Sequence, residues 1–453
     1  MKILILGAGS AGSSVASALS SEENDITIID YKPQLLAILK AKFDIVTVVG
    51  NAAHPKVLEQ AGVETADIVI AVTDRDETNM LACLIISKLY RRPKTIARVR
   101  AIDYLKHPKL FEANGIPVDI VISPEHIVME AIRNLIEFPG VLHVSNFASG
   151  LVRLFSVKVV ANSFLIGEKI KELKQRLSDG KIRIVAIFRQ GKPQIVNGDS
   201  IIQAGDEVFF VVPGKDMRRV LKELHVLEAP IKRITIAGGG HVGKRLALAL
   251  ENDYHVKIIE KDPARARKIA NELKHTLVLL GDCTNEALLV DESIESTDLF
   301  CSLTELDGVN IIASSLAKSL GARKAICLLN QGSYTKLLPS TGIDVAVLPN
   351  QETLGSILKH VRHGDVAQVN SLCGGTAEAI EAIAHKHNGP QSVVGKYVKD
   401  INFPRGIVLG ALIRQQQLIE IHHDTVFEEN DHVVMFAIDK KMVVNIENFF
   451  QAI

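Results

Sequence analysis

Two stretches of the chain show the same succession of an apolar run, a glycine-spaced turn and a helical pattern. MKILILGAGSAG begins at Met1, and KRITIAGGGHVG begins at Lys232. After the first turn, Val15, Ala16 and Leu19 recur at helical spacing, and the second turn is followed by the same pattern. Both stretches therefore predict a strand, a tight turn and an amphipathic helix.

The segments around each glycine turn continue as alternating strands and helices. KILIL, DITIID, DIVTVV, ADIVIAVT and TIARVR are short, rich in β-branched residues and nearly all apolar. Strands of this kind are buried on both faces, as in a parallel sheet covered by helices. The pattern predicts an α/β fold with a Rossmann-like, doubly wound parallel sheet at the front of each half.

A different pattern fills the back of each half. RIVAIFRQGKPQIV has a polar turn with glycine between two strands, and AGDEVFFVV follows a Gly-Asp turn. Each back segment closes with a helical pattern, KDMRRVLKEL or KKMVVNIENFF. AIFR and ALIR, like AGDEVFFVV and ENDHVVMFAI, correspond between the halves, so the chain is a tandem duplication of a front domain and a small α+β domain.

Between front and back lie two amphipathic segments, IVMEAIRNLIEFPG and QETLGSILKHVRHG. Each either packs on its own sheet or crosses over and docks on another copy of the domain, because its apolar stripe is wide enough to cover a partner. The expected bounds are 1–124 and 228–350 for the Rossmann-like domains, 125–140 and 351–365 for the crossover helices, and 141–227 and 366–453 for the small domains.

Composition narrows the classes of function. Lysine plus arginine equals aspartate plus glutamate, 52 each, and tryptophan is absent, so neither a basic field nor a stacking surface favours nucleic acid. No apolar run reaches the ~18 residues of a membrane span, so we expect a cytoplasmic protein without direct bilayer insertion. The cysteines show no metal-ligand spacing, and we expect no metal site and buried, reduced thiols at Cys83, Cys283, Cys301, Cys327 and Cys373.

The glycine turns suit a nucleotide. In GxGxxG the first glycine permits the tight turn, the second permits close approach of a pyrophosphate, and the third lets the helix lie on the strand. The helix N-terminus then offers free N–H groups to phosphate. Asp30 and Glu260 close the second strand of each half, where a carboxylate accepts ribose hydroxyls and repels a 2′-phosphate. This favours NAD(H) or an adenosine phosphate over NADP.

Further residues at strand ends distinguish the two halves. Thr73 and Asp74 follow the fourth strand and should face the crevice. Arg98 and Arg100 end the fifth strand, where they either neutralise phosphates or form a solvated surface pair. In the second half Leu328 and Asn330 take the positions of these two arginines. We therefore expect the second site to hold a triphosphate less well than the first.

Several longer motifs are distributed over the two halves: GNAAHPKVLEQAG, AVTDRDETNM, IARVRAIDYL, FPGVLHVSNF, AGGGHVGKRLALALE and VAQVNSLCGGTAEAIEA. Together they resemble the TrkA-type potassium-uptake regulators, which carry two RCK units in tandem. The resemblance covers essentially the whole chain. It implies RCK-N domains that bind NAD or NADH and ATP or ADP, each followed by an RCK-C domain. It also implies a homotetrameric ring, peripheral at the cytoplasmic face of the inner membrane, under a TrkH/TrkG-like membrane potassium translocator.

The same resemblance implies a set of nucleotide-binding residues in each half. In the first half these are Gly7, Ala8, Gly9, Ser10, Ala11, Gly12, Asp30, Tyr31, Lys32, Asn51, Ala52, Thr73, Asp74, Asn79, Arg98 and Arg100. In the second half they are Gly238, Gly239, Gly240, His241, Val242, Gly243, Glu260, Lys261, Asp282, Leu303, Thr304 and Asn330.

An NAD-dependent oxidoreductase is the alternative function, since the glycine turn and the acidic residue fit it equally well. Hydride transfer also needs an acid or base and a substrate-orienting charge beside the nicotinamide. The sequence shows no nucleophile elbow, P-loop lysine or HExxH motif. We expect a regulatory protein with no catalytic residue.

Overall fold

The structure is a computed structural model of the 453-residue chain. It describes residues 1–20, 24–90, 93–112, 115–177, 182–361, 366–372, 375–386, 392–439, 442–443, 446 and 449–450. The chain divides into two compact units, one comprising Met1–Ile127 with Pro349–Val361 and the other Val128–Leu348 with Arg362–Ile453.

The first unit contains a six-stranded parallel sheet in the order β3-β2-β1-β4-β5-β6. The first five strands confirm those predicted from the apolar runs, and the short sixth strand was not predicted. The strands are β1 Lys2–Leu6, β2 Asp25–Asp30, β3 Val46–Val49, β4 Ile68–Ala71, β5 Lys94–Arg98 and β6 Ile120–Ile122, and the helices are α1 Ser10–Leu19, α2 Pro33–Lys42, α3 Pro55–Gln60, α4 Asp76–Leu89 and α5 Ile102–Leu105.

Helix α6, Pro124–Glu137, leads into the first small domain, a five-stranded antiparallel sheet in the order β10-β9-β11-β8-β7. Alternate residues of its strands face two different apolar clusters, so both faces are buried. The elements are β7 His143–Phe147, β8 Val152–Lys158, α7 Ile170–Arg176, β9 Arg183–Arg189, β10 Lys192–Gln194, β11 Glu207–Pro213 and α8 Met217–Glu223.

The second front domain repeats the first, with the parallel order β14-β13-β12-β15-β16-β17. Its helices have clearer N-terminal signals, since the side chains of Asp262 and Asn285 accept backbone N–H groups. The elements are β12 Arg233–Ala237, α9 His241–Leu250, β13 His255–Glu260, α10 Pro263–Glu272, β14 Leu277–Leu280, α11 Glu286–Asp291, β15 Leu299–Ser302, α12 Asp307–Ser319, β16 Lys324–Leu328, α13 Leu338–Thr341 and β17 Val345–Val347.

Helix α14, Pro349–Val361, precedes the second small domain, whose antiparallel sheet runs β18-β19-β22-β20-β21. The strands are β18 Val366–Leu372, β19 Ala377–Ile383, β20 Ile407–Arg414, β21 Gln417–Ile419 and β22 His432–Ala437. The helix predicted over KKMVVNIENFF lies largely outside the described residues. No helix in the described part of the chain combines the length and the apolar composition that crossing a membrane requires.

The two crossover helices exchange places between the halves. In the first unit, α14 packs against α1 and β6, and its stripe of Ile357, Leu358 and Val361 is buried there. In the second unit, Ile132 of α6 shares one buried cluster with Leu246 of α9. In this structure each helix thus packs on the front domain of the other half of the same chain.

The two small domains pack sheet against sheet within the second unit. One buried cluster contains Phe209 from β11 and Phe436 from β22, whose rings lie 5.6 Å apart. A Cβ at Gly410 of β20 would lie 3.1 Å from the Val211 side chain, so the glycine permits the close approach of the sheets. The predicted fold class is confirmed, with a duplicated α/β domain and a duplicated α+β domain.

Candidate functional site

The first glycine turn shows why its glycines occupy these positions. Gly7 has φ +107°, and a Cβ there would lie 2.9 Å from the Thr73 Cα atom. A Cβ on Gly12 would lie 1.9 Å from the Gly7 carbonyl oxygen, so α1 can approach β1 only without a side chain. At Gly9 nothing lies within 4 Å of a Cβ. The second glycine therefore faces open space that a ligand can use.

Asp30 ties the end of β2 to this turn. Its Oδ2 accepts the Ala8 N–H at 2.7 Å and its Oδ1 accepts the Lys32 N–H at 2.8 Å. The carboxylate is buried and held in one orientation, while each oxygen keeps a further lone pair. These lone pairs are suited to accept the hydroxyls of a ribose. We call the Gly7–Gly12 turn together with Asp30 the first cradle.

A cleft of about 570 Å³ opens above the first cradle, within the range of small-molecule sites. It lies at the carboxyl ends of the strands, where ligands of open α/β sheets bind. The predicted residues that line it are Gly7, Gly9, Ser10, Ala11, Asp30, Tyr31, Lys32, Asn51, Ala52, Thr73, Asp74 and Arg98. Ala8 and Gly12 are not part of this lining and shape the turn from behind.

Arg98 brings a guanidinium nitrogen without a hydrogen-bond partner to the wall of the cleft. Its Nε is buried and has no hydrogen-bond partner in the described structure. Burial lowers the pKa of the guanidinium, and the charge of Arg100 lowers it further, although Glu125, Asp76 and Asp74 oppose this. A bound anion would supply the missing charge-assisted hydrogen bond.

Asn79, predicted as a ligand contact, does not line the cleft. It is fully buried, and its Oδ1 accepts the Thr73 N–H at 2.9 Å and the Thr73 Oγ1–H at 2.6 Å. Its Nδ2 donates to the Arg98 carbonyl at 2.9 Å. The amide is thus used inside the protein, and Asn79 positions the ends of β4 and β5.

Arg100 is also placed differently from the prediction. Its Nε donates to Glu125 Oε1 at 2.7 Å, and its backbone N–H donates to Asp76 Oδ2. The Glu125 carboxylate is buried at the start of α6. Because this ion pair directs the guanidinium to the helix start, Arg100 does not line the cleft. Of the two arginines, only Arg98 faces it.

The second glycine turn repeats the first. Gly238 has φ +100°, a Cβ on Gly243 would lie 2.0 Å from the Gly238 carbonyl oxygen, and Gly240 is open. Glu260 takes the role of Asp30, since its oxygens accept the N–H groups of Gly239 at 2.9 Å and Asp262 at 2.8 Å. We call the Gly238–Gly243 turn together with Glu260 the second cradle.

The remaining predicted residues of the second half are distributed around this cradle. His241 is exposed at the start of α9, whereas Val242 and Leu303 belong to or pack on the core. The Asn330 amide is held by Asp307 at 3.0 Å. Thr304 is fixed by Asn310 through bonds that match those between Thr73 and Asn79.

In the second cradle, an arginine side chain lies next to the acidic residue Glu260. Arg265, in the first turn of α10, has its Nη1 3.5 Å from Glu260 Oε2. Lys261 Nζ donates to Asp282 Oδ2 at 2.8 Å, and this bond is the main cause that lowers the pKa of Asp282 to about 2. The second half thus has leucine in place of Arg98 and a guanidinium beside the Glu260 carboxylate.

Family models match both front domains and one small domain. The TrkA-N domain matches residues 3–124 and 234–349, and the TrkA-C domain matches residues 154–225. A Trk system potassium uptake protein TrkA from Halomonas elongata is 45% identical over 100% of this chain and 99% of its own length, and one from Vibrio alginolyticus is 44% identical over the same shares.

The chain belongs to the TrkA family. The resemblance predicted from the motifs is therefore confirmed. Among solved structures, the GsuK RCK domain superposes with a TM-score of 0.61 at 18% identity, covering 99% of this chain and 94% of that one. A GsuK channel bound to NAD has a TM-score of 0.61 at 18% identity, covering 97% and 77%. At this identity the likeness establishes the tandem RCK fold.

In this TrkA-family chain, further residues that the sequence did not indicate line the first cleft. Leu35, Gly50, Val72, Arg75 and Thr78 line the first cleft. Arg75 adds a second arginine next to Asp74 and directly precedes α4, which was the available signal. Arg265 was missed because it comes from a helix turn and not from a strand end. Its position corresponds to that of Leu35, so the replacement of leucine by arginine in the second half is visible once the two halves are aligned.

Proposed function

We propose that the protein is the nucleotide-sensing regulatory subunit of a potassium-uptake system. The relatives that match its full length are named Trk system potassium uptake proteins. The Arg98 guanidinium in the first cleft, whose buried Nε has no hydrogen-bond partner in the described structure, is the observation that carries the nucleotide part of the proposal. A half-buried cation facing a glycine turn and a carboxylate suited to a ribose fits an adenine nucleotide.

In the first cradle, Asp30 would accept the ribose hydroxyls. The N–H groups at the start of α1 and the Arg98 guanidinium would hold the phosphates. ATP or ADP, with several phosphate charges, suits this arrangement better than an uncharged ligand, and NAD(H) fits the same turn. The nucleotide supplies negative charge beside the Arg98 Nε, which otherwise has no hydrogen-bond partner in the described structure.

The second cradle would bind a dinucleotide in preference to a triphosphate. Leu328 stands where the first half has Arg98, so the β- and γ-phosphates of ATP would lack a cation. Arg265 lies beside Glu260 and reduces the repulsion between that carboxylate and a phosphate on the ribose. We infer that the second cradle takes NAD(H) and discriminates against a 2′-phosphate less strongly than the first.

Regulation would follow from linkage between the cradles and the arrangement of the domains. A ligand shifts a conformational equilibrium only by the difference between its affinities for the two states. ATP and ADP differ in charge next to Arg98, which provides such a difference. We propose that four chains form a ring at the cytoplasmic face of the inner membrane and that its rearrangement opens or closes a TrkH/TrkG-like translocator.

Catalysis is less well supported by the cleft. Its described lining residues include neither histidine nor cysteine. Burial raises the pKa of Cys83 to about 12, and burial also raises the pKa of Cys283 and Cys327 to about 11. Cys373 lies outside the described residues. NAD reduction by a panel of 2-hydroxy acids should give no turnover, and clear turnover would favour the oxidoreductase.

The test is calorimetric titration of the full chain with ATP, ADP, NAD and NADH. We expect Arg98→Ala to weaken ATP binding at the first cradle more than NAD binding, and Asp30→Ala to weaken both. Arg133→Ala is the matched control, because Arg133 pairs with Glu130 on an exposed part of α6. Unchanged nucleotide affinity in both cradle variants would refute the first site.

The regulatory part is tested separately in proteoliposomes that contain the translocator. Potassium flux should change when ATP replaces ADP in the presence of wild-type protein. It should lose this dependence with Arg98→Ala but keep it with Arg133→Ala. Flux that ignores the nucleotide while calorimetry shows binding would refute the regulatory role and leave the nucleotide site intact.

A further inference from the structure

A second pocket lies in the small domains, apart from both cradles. It has a volume of about 270 Å³, just below the volumes of pockets that bind drug-sized ligands, which are about 300–1,000 Å³. Helix α7, the beginning of β9 and residues 196–198 form most of its wall, and β20 of the other small domain contributes Val408. The wall is mainly apolar, with Leu173, Leu177, Ile182 and Ile184 among its residues.

Arg183 is the unusual residue of this pocket. Burial lowers the pKa of its guanidinium, and the acidic group that acts on it is Glu420. No described residue forms a hydrogen bond or an ion pair with the Arg183 side chain. Arg183 is half-buried, and a guanidinium set in an apolar wall is stabilised by an anion beside it.

The other cation of the pocket is already neutralised. Lys171 Nζ contacts Asp199 Oδ1 at 2.7 Å on the exposed rim. Asp199 is itself oriented by Asn197, whose Oδ1 accepts its N–H at 3.0 Å. The charge available to a ligand inside the pocket is therefore that of Arg183.

The duplication shows that this pocket is asymmetric. Ala186 of β9 pairs with Phe209, and Ala411 of β20 pairs with Val434 at the matching place in the other sheet. Counting back along both strands, Arg183 corresponds to Val408. Two equivalent positions thus meet at one pocket, one as a cation and the other as an apolar side chain. Such a wall matches a ligand with a charged head and an apolar body.

We propose that this pocket binds a small organic anion, with its carboxylate or phosphate on Arg183 and its apolar part against Leu173, Leu177, Ile184 and Val408. The site belongs to the small domains and is independent of nucleotide binding at the cradles. Its occupant bridges the two small domains, because the wall combines residues of both sheets.

Hexanoate and phenyl phosphate are the probes, with hexanol and phenol as their neutral counterparts. We expect calorimetry on the full chain to give one saturable site for at least one anion and at least tenfold weaker binding of its neutral counterpart. Methyl resonances of Leu173, Ile184 and Val408 should shift on titration. ATP added at saturation should leave this binding unchanged.

Arg183→Met keeps the apolar stem and removes the charge, and it should weaken anion binding at least tenfold. Lys192→Met, on the exposed part of the neighbouring β10, is the matched control. Val408→Phe fills the pocket from the other small domain without changing charge, so it tests the site even if Arg183→Met does not fold. The proposal would be overturned if neither anion showed saturable binding, or if the methyl resonances that shift belonged to residues outside the pocket. It would also be overturned if Val408→Phe bound the anion with wild-type affinity. Equal binding of the neutral counterparts would overturn the assignment of an anion.

Discussion

Asn79 and Asn310 occupy the same place in the two halves and form the same hydrogen bonds. Each Oδ1 accepts a threonine N–H at 2.9 Å and the hydroxyl of the same threonine at 2.6 Å. Each Nδ2 donates at 2.9 Å to the carbonyl that ends the next strand, that of Arg98 in one half and Leu328 in the other. The duplication thus preserves the buried amide while the side chain that it positions changes from arginine to leucine.

This relationship predicts the effect of Asn79→Ala. The substitution leaves the Thr73 N–H and the Arg98 carbonyl without their partner, which should cost about 2 kcal/mol or more of unfolding free energy. It should also weaken ATP binding at the first cradle although Asn79 does not line the cleft. Calorimetric titration with ATP and denaturant unfolding measure the two effects.

Asn310→Ala is the matched control for that prediction. It should destabilise the second front domain by a similar amount and leave ATP binding at the first cradle unchanged. If both variants weakened ATP binding equally, the loss would come from general destabilisation and not from the position of Arg98.

The glycines of the first turn predict a separation between folding and binding. Gly12→Ala places a Cβ 1.9 Å from the Gly7 carbonyl oxygen, so we expect a loss of about 3 kcal/mol or more in stability. Gly9→Ala meets nothing within 4 Å and Gly9 has φ −67°, so the fold should be unaffected. The added methyl group occupies the space for the pyrophosphate, and nucleotide affinity should fall at least tenfold, about 1.4 kcal/mol.

Thermal unfolding and nucleotide titration of the two variants check this separation. Gly240→Ala, at the equivalent position of the second half, controls for specificity and should spare the first cradle. A Gly9→Ala protein that binds ATP with wild-type affinity would show that the ligand does not approach the turn as proposed.

The architecture was predictable from the sequence where the pattern is local. The strand runs and glycine turns specify β1 to β5 because each is short, apolar and followed by a turn signal. The short strand Ile120–Ile122 was missed, since three residues carry too little pattern. The surface on which α6 and α14 pack was left open, because an amphipathic stripe shows that a helix needs a packing partner but does not identify that partner.

The candidate site was predictable where backbone geometry determines it. Asp30 and the glycine turn were identified from spacing because the βαβ unit fixes their positions. Arg98 and Arg100 could not be separated, since the sequence does not show that Glu125 on α6 engages Arg100. Arg265 was not found because its role depends on the turn by which α10 approaches Glu260.

Arg265 predicts a difference in cofactor selectivity between the cradles. Arg265→Leu introduces the residue that the first half has at Leu35. Without the guanidinium, Glu260 should repel a 2′-phosphate more strongly, and the preference for NAD over NADP at the second cradle should rise roughly fivefold, about 1 kcal/mol. Titrations in a Gly9→Ala background, where we expect nucleotide binding at the first cradle to be at least tenfold weaker, separate the second cradle from the first.

Arg267→Leu is the control for charge on the same helix, because Arg267 is exposed on α10. It should leave the ratio of NAD to NADP affinity unchanged. If both variants changed the ratio of NAD to NADP affinity equally, the cause would be the total positive charge of α10 and not the position of Arg265. If neither variant changed this ratio, a role of Arg265 in selectivity would be excluded.

His143 predicts a pH dependence of stability that originates in the first small domain. Burial lowers the pKa of this imidazole from 6.5 to about 4, and its Nε2 lies 2.6 Å from the Ser145 hydroxyl oxygen. Between pH 6.5 and pH 4 the unfolded chain therefore binds a proton that the folded chain does not bind. The unfolding free energy should fall by about 3 kcal/mol as the pH drops through this window, and the decrease should end near pH 4.

In His143→Gln this part of the slope should vanish, whereas His422→Gln, at an exposed position, should retain it. Urea unfolding at several pH values measures the slope, and equal slopes for wild type and His143→Gln would show that another group titrates.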